Sequence, residues 1–335
     1  GNDGVWANQW TAKKIGIHTF KAQAIKGDYG GTAATTVRVV KKDLWPGYYQ
    51  WPSNYPKERE PGWSHELQDL THDDKNWYFS KGDTPEVHKI WKFPITHDLN
   101  ASVSGPNPSA GILTAPIPPE LAAGFHHFGG LDYYEGNLYV ALEPIGYASP
   151  PKVVVFRASD LKMLAHADVT AYPYPGHHLP YCAIDPRSGL MYSSVDDNVT
   201  RLTIHRPMLT QTSSGYDLKL KHVGWFDLVD VAGNQVTVNS VQSCDITENG
   251  HLYLVSNDIN KGGIYGFSLI EKKQLAFIPV YWKAKFPDYE ELEGITIWDL
   301  DRPGAPKFAN PNWGGQVHLL ILDNDLEQLP SPLPP

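Results

Sequence analysis

Along most of the chain, short apolar runs alternate with polar turns, and one such unit recurs. "QDLTHDDKNWYFS" begins at Gln68, "GGLDYYEGNLYVA" at Gly129, "CAIDPRSGLMYSS" at Cys182 and "CDITENGHLYLVS" at Cys244. The four phrases align without a gap. Each has an apolar third position (Leu70, Leu131, Ile184, Ile246), a polar turn rich in Asp, Glu, Asn and Gly, and a second apolar run. Two apolar runs joined by such a turn predict a β-hairpin. A fifth, interrupted copy starts at Glu293 with "EGITIWDLD"; a Pro/Gly-rich insertion defers its second strand to "QVHLLILDND".

After each hairpin there is room for two more strands. "KIWKFPI" follows the first copy, "KVVVFRASDL" and "KMLAHADV" the second, "VTRLTIHRP" and "LKHVGWFDL" the third, "GIYGFSL" and "QLAFIPV" the fourth. Helical periodicity is nearly absent; "ELAAGF" and "EELE" offer a turn or two at most. Four antiparallel strands repeated at about 50 to 60 residues is the rhythm of propeller blades. One such sheet cannot bury both of its faces, so blades stack around an axis. A solenoid needs shorter, parallel rungs, and a sandwich does not restate one hairpin at this period. The prediction is an all-β, five-bladed β-propeller over residues 44–335, with blades starting near 64, 125, 178, 240 and 289. The count becomes six if residues 41–63 hold a degenerate blade.

Residues 1–43 contain two further strand-like runs, "HTFKAQAIKG" and "TAATTVRVVK". They can supply the outer strands that the fifth copy lacks and so protect an open seam. Alternatively, "GIHTFKAQAIKGDYGGTAATTVRVV" resembles the closing strands of bacterial immunoglobulin-like modules. A whole module of that kind needs near 100 residues, so here it would be a remnant. The hairpin phrase, in its Asp-Pro-x-x-Gly-Leu-x-Tyr form, resembles blades of secreted bacterial propellers of the lactonase and YVTN kind. That resemblance implies the architecture and no single activity.

Composition narrows the classes. In 335 residues, 41% are apolar and 19% charged, which suits a globular chain with a sizeable core and excludes general disorder. A net charge of -9 provides no basic face for a phosphate backbone, so nucleic acid is not expected as a partner. No apolar run approaches the roughly 20 residues that cross a bilayer. Cys182 and Cys244 share one column of neighbouring copies and are expected to be buried and reduced; they make neither a disulfide scaffold nor a Cys-type zinc site. Few Cys, many aromatics and the abrupt opening "GNDGVWANQW", which reads as a mature or trimmed start, suggest a secreted or periplasmic protein.

The first strand of a propeller blade lines the central channel, so residues just upstream of each phrase should form a ring. Two places upstream stand Glu66, His127, Pro180, Gln242 and Glu291; three places upstream stand His65, His126, Leu179, Val241 and Glu290. His177 and His178 enter the third blade at the same level. The candidate ligand-binding set is therefore Glu66, His126, His127, His178, Gln242 and Glu291. Such a cluster can hydrogen-bond a small polar ligand or glycan at the channel mouth, which is the leading expectation. It can also hold a divalent metal, zinc or calcium. As an enzyme, a polysaccharide lyase or lactone-type hydrolase, it would use His127 or His178 as base with a carboxylate as acid or metal ligand. A third reading is a protein-interaction scaffold using the connector aromatics Trp45, Tyr48, Tyr49, Trp51, Tyr55 and Trp63. There is no HExxH, GxSxG or phosphate loop. "THDD" at 71–74 and "DNDLE" at 323–327 could be read as calcium loops, although the former falls in a hairpin turn where Asp is favoured anyway.

Overall fold

The structure, a computed structural model, describes residues 16–26, 29–39, 63–64, 66–82, 88–99, 101–147, 149–170, 178–279, 291–299 and 316–322. His65, His177, Glu290, the aromatics from Trp45 to Tyr55 and the 323–327 run lie outside them. The chain divides into two units, residues 1–44 and 45–335. In the first, β1 (Gly16–Lys26) and β2 (Tyr29–Val39) pair antiparallel as a two-stranded sheet.

The second unit holds four complete four-stranded antiparallel sheets, each built on one copy of the phrase. They are β3 (Leu67–His72), β4 (Asn76–Lys81), β5 (Lys89–Pro94) and β6 (Leu113–Pro116), then β7 (Phe125–Tyr134), β8 (Asn137–Pro144), β9 (Lys152–Arg157) and β10 (Met163–Asp168). The third comprises β11 (Ala183–Ile184), β12 (Met191–Ser193), β13 (Arg201–Thr212) and β14 (Gly215–Asp227), and the fourth β15 (Val241–Ile246), β16 (His251–Ser256), β17 (Gly263–Ser268) and β18 (Lys273–Pro279). β19 (Leu292–Asp299) and β20 (Gln316–Leu322) form a fifth sheet of two described strands. The first strands run in a ring: β3 lies against β7, β7 against β11, β11 against β15, β15 against β19, and β19 against β3. Among the described residues, this unit is a β-propeller with four complete blades.

Turn chemistry makes the hairpins. Between β7 and β8 the two central residues, Glu135 and Gly136, have φ of 47° and 82°, the left-handed pair whose twist matches antiparallel strands. In the first blade Asp73 does the same work with its side chain, accepting from the amides of Lys75 and Asn76 and from the Tyr78 hydroxyl. The "THDD" acid is thereby committed to the turn.

Blade faces explain the near-continuous apolar strands. On β8, Leu138, Val140 and Leu142 pack toward the first blade with Tyr78 and Ile90, while Tyr139 and Ala141 pack toward the third with Cys182 and Met191. β16 repeats the rule: Leu252 and Leu254 join Tyr192 and Phe226, whereas Tyr253 and Val255 join Trp77 and Phe79. Alternate side chains of one strand fill two different cores, so neither face can be polar. Trp63, 2% exposed, is wedged between Phe79 at 5.1 Å and Phe93 at 4.6 Å between ring centroids.

Buried aspartates tie the first strands together at the axis. Asp69 accepts from the Leu131 amide (3.0 Å), the Ser243 hydroxyl (2.8 Å) and the Ile295 amide (3.3 Å), linking β3 to β7, β15 and β19. Asp132 accepts from Thr71 and the Ile184 amide, and Asp245 from Thr296 and the Ile297 amide. Burial pushes the Asp69 and Asp132 carboxyls well above the usual carboxylate range, and their hydrogen bonds only partly offset this. Close approach demands glycine: a Cβ on Gly130 would stand 2.6 Å from Asp69 Oδ2, and one on Gly294 would stand 2.8 Å from Asp69 Cα.

Candidate functional site

Three of the inner hairpins, in the first, second and fourth blades, are held shut at the end where the first strand begins. The Gly82 amide donates to the Glu66 carbonyl, Ile145 to Gly124, and Asn257 to Ser240. Residues entering the first strand and leaving the second are therefore neighbours in space. They converge on one cavity of about 470 Å³. Its lining includes all five residues found two places upstream of the phrases: Glu66, His127, Pro180, Gln242 and Glu291. His126 and His178 line it too. The six candidate side chains thus share one cavity. Leu179 and Val241, one place further upstream, are buried in the blade cores.

The cavity is richer than the upstream ring alone. Gly82, Glu143, Asp196 and Asp197, Ser240, Asn257 and Glu293 complete its wall with Gln68 and Gly129. Gly82, Glu143 and Asp196 stand two places after the phrases end at Ser80, Ala141 and Ser194. An antiparallel hairpin returns the end of its second strand to the start of its first, and His127 indeed pairs with Glu143 across β7 and β8. Reading the strand exits as well as the entries would have found them.

One polar contact in the wall is a carboxylate–imidazole pair. His178 Nδ1 lies 3.0 Å from Glu143 Oε2, and the Leu179 amide donates to Oε1 at 2.9 Å. Glu143 is almost fully buried, whereas the His178 side chain is 41% exposed, with Nε2 at 3.9 Å from Asp196 Oδ2. The bond to Glu143 raises the His178 pKa above its ordinary value against the opposing effect of burial. Burial also resists charge on Glu143, but the His178 bond, the nearby imidazoles and the Leu179 amide carry its pKa below the usual range.

A second group is histidine alone. The His88 ring lies 5.6 Å from that of His127 and 6.3 Å from that of His126, centroid to centroid. Burial, then the two neighbouring imidazoles, lowers His88 to a pKa of about 4. Burial lowers His127 as well, with Glu143 opposing. His88 precedes β5 and carried no pattern that would mark it in the sequence. Among the described residues, no group of three His, Cys, Asp or Glu side chains is placed to hold a metal ion. Cys182 and Cys244 are buried and unbridged, and burial pushes both thiols up. No helix among the described residues is long and apolar enough to cross a membrane.

No protein-family model and no curated protein matches the chain. Solved structures similar to it include a Bacteroides fragilis protein provisionally assigned as a 6-phosphogluconolactonase (17% identity, 78% of this chain, 65% of that one, TM-score 0.37). A DUF4623 family protein from Bacteroides eggerthii matches at 10% identity over 88% of this chain and 62% of that one, TM-score 0.36. The WD40 repeats of RRP9 match at 11% over 52% and 44%, TM-score 0.31. The chain spans less than two thirds of the length of each, and likeness at this level is too distant to carry chemistry from them.

Proposed function

We propose that the protein is a secreted or periplasmic propeller that binds a small polar ligand in the cavity at the mouth of its axis, with β19 and β20 serving as a fifth blade. The observation that carries this reading is the convergence on one cavity of five residues from the same column of five repeats. Their order in the chain is set by the fold, yet Glu66, His127, Gln242 and Glu291 are all hydrogen-bonding groups. The volume falls within the roughly 300 to 1,000 Å³ of small-molecule pockets. Among the described lining residues none is Trp, Tyr or Phe, so recognition rests on hydrogen bonds and charge rather than on stacking against a sugar face. A single sugar unit or a molecule of that size fits better than a long glycan.

The experiment is a thermal-shift screen of the purified chain against mono- and disaccharides, polyols, amines and organic acids, followed by calorimetry. Binding that is lost in both His127→Ala and Gln242→Ala supports the cavity. Binding unchanged in both overturns it.

One observation favours a second reading. The Glu143–His178 bond orients an imidazole whose other nitrogen is turned toward Asp196, as in a general acid–base pair. A lactone-type hydrolase would lose turnover in His178→Asn while keeping its fold and its ligand affinity.

A further inference from the structure

We propose that His88, His126 and His127 form an acid-sensitive joint between the first and second blades, which loosens the cavity wall at Gly82 when these imidazoles take up protons. The consequence for a ligand rests on the binding role proposed for the cavity, whereas the loosening itself can be read without one.

His88 precedes β5 of the first blade, and His126 and His127 lie on β7 of the second. Their ring centroids stand 5.6 Å apart for His88 and His127 and 6.3 Å apart for the other two pairs. His88 is 3% exposed, and the Nδ1 atoms of His88 and His126 are buried with no hydrogen-bond partner. Glu143, which faces His127 across β7 and β8, is hydrogen-bonded to His178 instead. Three imidazoles thus share one seam between blades.

Gly82 ties this trio to the wall. A Cβ built on it would fall 2.8 Å from His88 Nδ1 and 3.0 Å from His127 Nδ1, so its backbone is packed closely against a ring from each blade. Gly82 lines the cavity with His126 and His127, and its amide closes the first hairpin on the Glu66 carbonyl. Rings that move apart therefore disturb both the wall and that closure.

Neutral imidazoles can pack in this way, but a proton on one of them makes a buried charge, and protons on two make like charges that repel. Burial and the neighbouring imidazoles lower His88 from 6.5 to about 4, and burial lowers His127. Charged groups around the trio are Lys81 beside Gly82, Lys89 beside His88, Glu66 on the cavity wall, Glu143 on β8 and His178 at the entry to the third blade. Glu143 favours a proton on His127, while His178 opposes it. Asp83 and Glu86, between Gly82 and His88 in the chain, lie outside the described residues. The closed joint holds the imidazoles neutral, and an opened joint lets them protonate near the ordinary value. The closed form is therefore favoured above that value and gives way as pH falls below it. Opening rises by up to about tenfold per pH unit for each proton taken up.

The test is native-state hydrogen exchange on the full chain by NMR at pH 6.5 and 4.5, read as protection factors corrected for the intrinsic rate. The Gly82 amide reports the joint; the Asn257 amide, which closes the fourth blade's hairpin on Ser240, is the control. Between the two pH values, protection at Gly82 is expected to fall at least tenfold and at Asn257 less than threefold. In His88→Asn the fall at Gly82 should shrink to less than threefold. His126→Asn, at a half-buried position, should shrink it at least twofold and decides the matter if His88→Asn does not fold. Parallel loss at the two amides overturns the joint, as does an undiminished fall at Gly82 in the folded variants. Ligand binding at pH 6.5 is a separate readout: its absence overturns the binding role, while a selective, histidine-dependent fall at Gly82 still supports the joint.

Discussion

Glu143 and His178, 35 residues apart in the chain, meet at 3.0 Å where the second blade hands over to the third. Neither residue is at the centre of its phrase. One ends a second strand and the other enters a first strand, and the stacking of two blades brings them together.

That pair has a defined pH window. His178 has a raised pKa, so its contribution is complete below the unfolded value near 6.5 and is lost as pH rises through the folded value. Glu143 has a lowered pKa, so its contribution is present above the unfolded carboxyl value and is lost as pH falls through the folded one. Glu143→Gln should therefore destabilise most near pH 6, by about 1–2 kcal/mol given the half-exposed imidazole, and less at pH 9. Urea unfolding at the two pH values checks this. NMR titration of the His178 ring should show its pKa falling toward the ordinary value in the variant.

Acid sensitivity should trace partly to His205. It is 1% exposed on β13, and burial, then the facing His222, lowers its pKa to about 4. The native state keeps it neutral while the unfolded chain takes up a proton near 6.5, so stability falls as pH drops between those values. The slope for one such proton is about 1.4 kcal/mol per pH unit. His205→Asn should flatten the stability profile between pH 6 and pH 4.5 by up to that amount. An unchanged slope would assign the acid response to other groups.

Asp69→Ala removes the acceptor for two amides and one hydroxyl on three other first strands. Each buried donor left unsatisfied costs about 1–3 kcal/mol, so a loss of at least 3 kcal/mol is expected in chemical denaturation. Asp69→Asn keeps one acceptor oxygen and should cost less. Equal losses in the two variants would mean that shape, and not hydrogen bonding, is what Asp69 supplies.

The glycines beside Asp69 permit a paired control. Gly130→Ala places a methyl 2.6 Å from Asp69 Oδ2 and 2.8 Å from Tyr181 Cβ, with backbone close behind. It should cost about 1–3 kcal/mol as an over-packed site. Gly124→Ala meets nothing within 4 Å and should stay within about 0.5 kcal/mol of wild type. Melting temperatures of the two variants, measured side by side, decide it.

Much of this was legible in the sequence because a repeated fold writes its geometry into columns. The alignment of Leu70, Leu131, Ile184 and Ile246 marked four hairpins, and the positions two places before them all reached one cavity. The legible part stops where a residue acts by spatial return rather than by column. Glu143 and Asp196 belong to strand exits, which the upstream ring leaves out. Asp69 and Asp132 sit two residues apart in register within their phrases, yet both become interblade ties, because what each meets is decided by the neighbouring blade. The third blade also exceeds its sequence signal. β13 and β14 continue to Thr212 and from Gly215, beyond "VTRLTIHRP" and "LKHVGWFDL", since "QTSSGYD" at the tip is polar and shows no buried face. In the first blade β6 (Leu113–Pro116) is a four-residue edge strand too short to stand out.

The reach of Asp69 bears on how such a chain comes to be folded. Its partners lie 62, 174 and 226 residues downstream. An emerging polypeptide can form its first hairpins early, but the acid of the first blade waits for the last of these donors until the four complete blades have all been made. Loop closure over such distances is slow, and the unfinished ring leaves strand edges open to misassembly in the interval. Assembly of this propeller should be governed by the arrival of Ile295 rather than by the formation of any single blade.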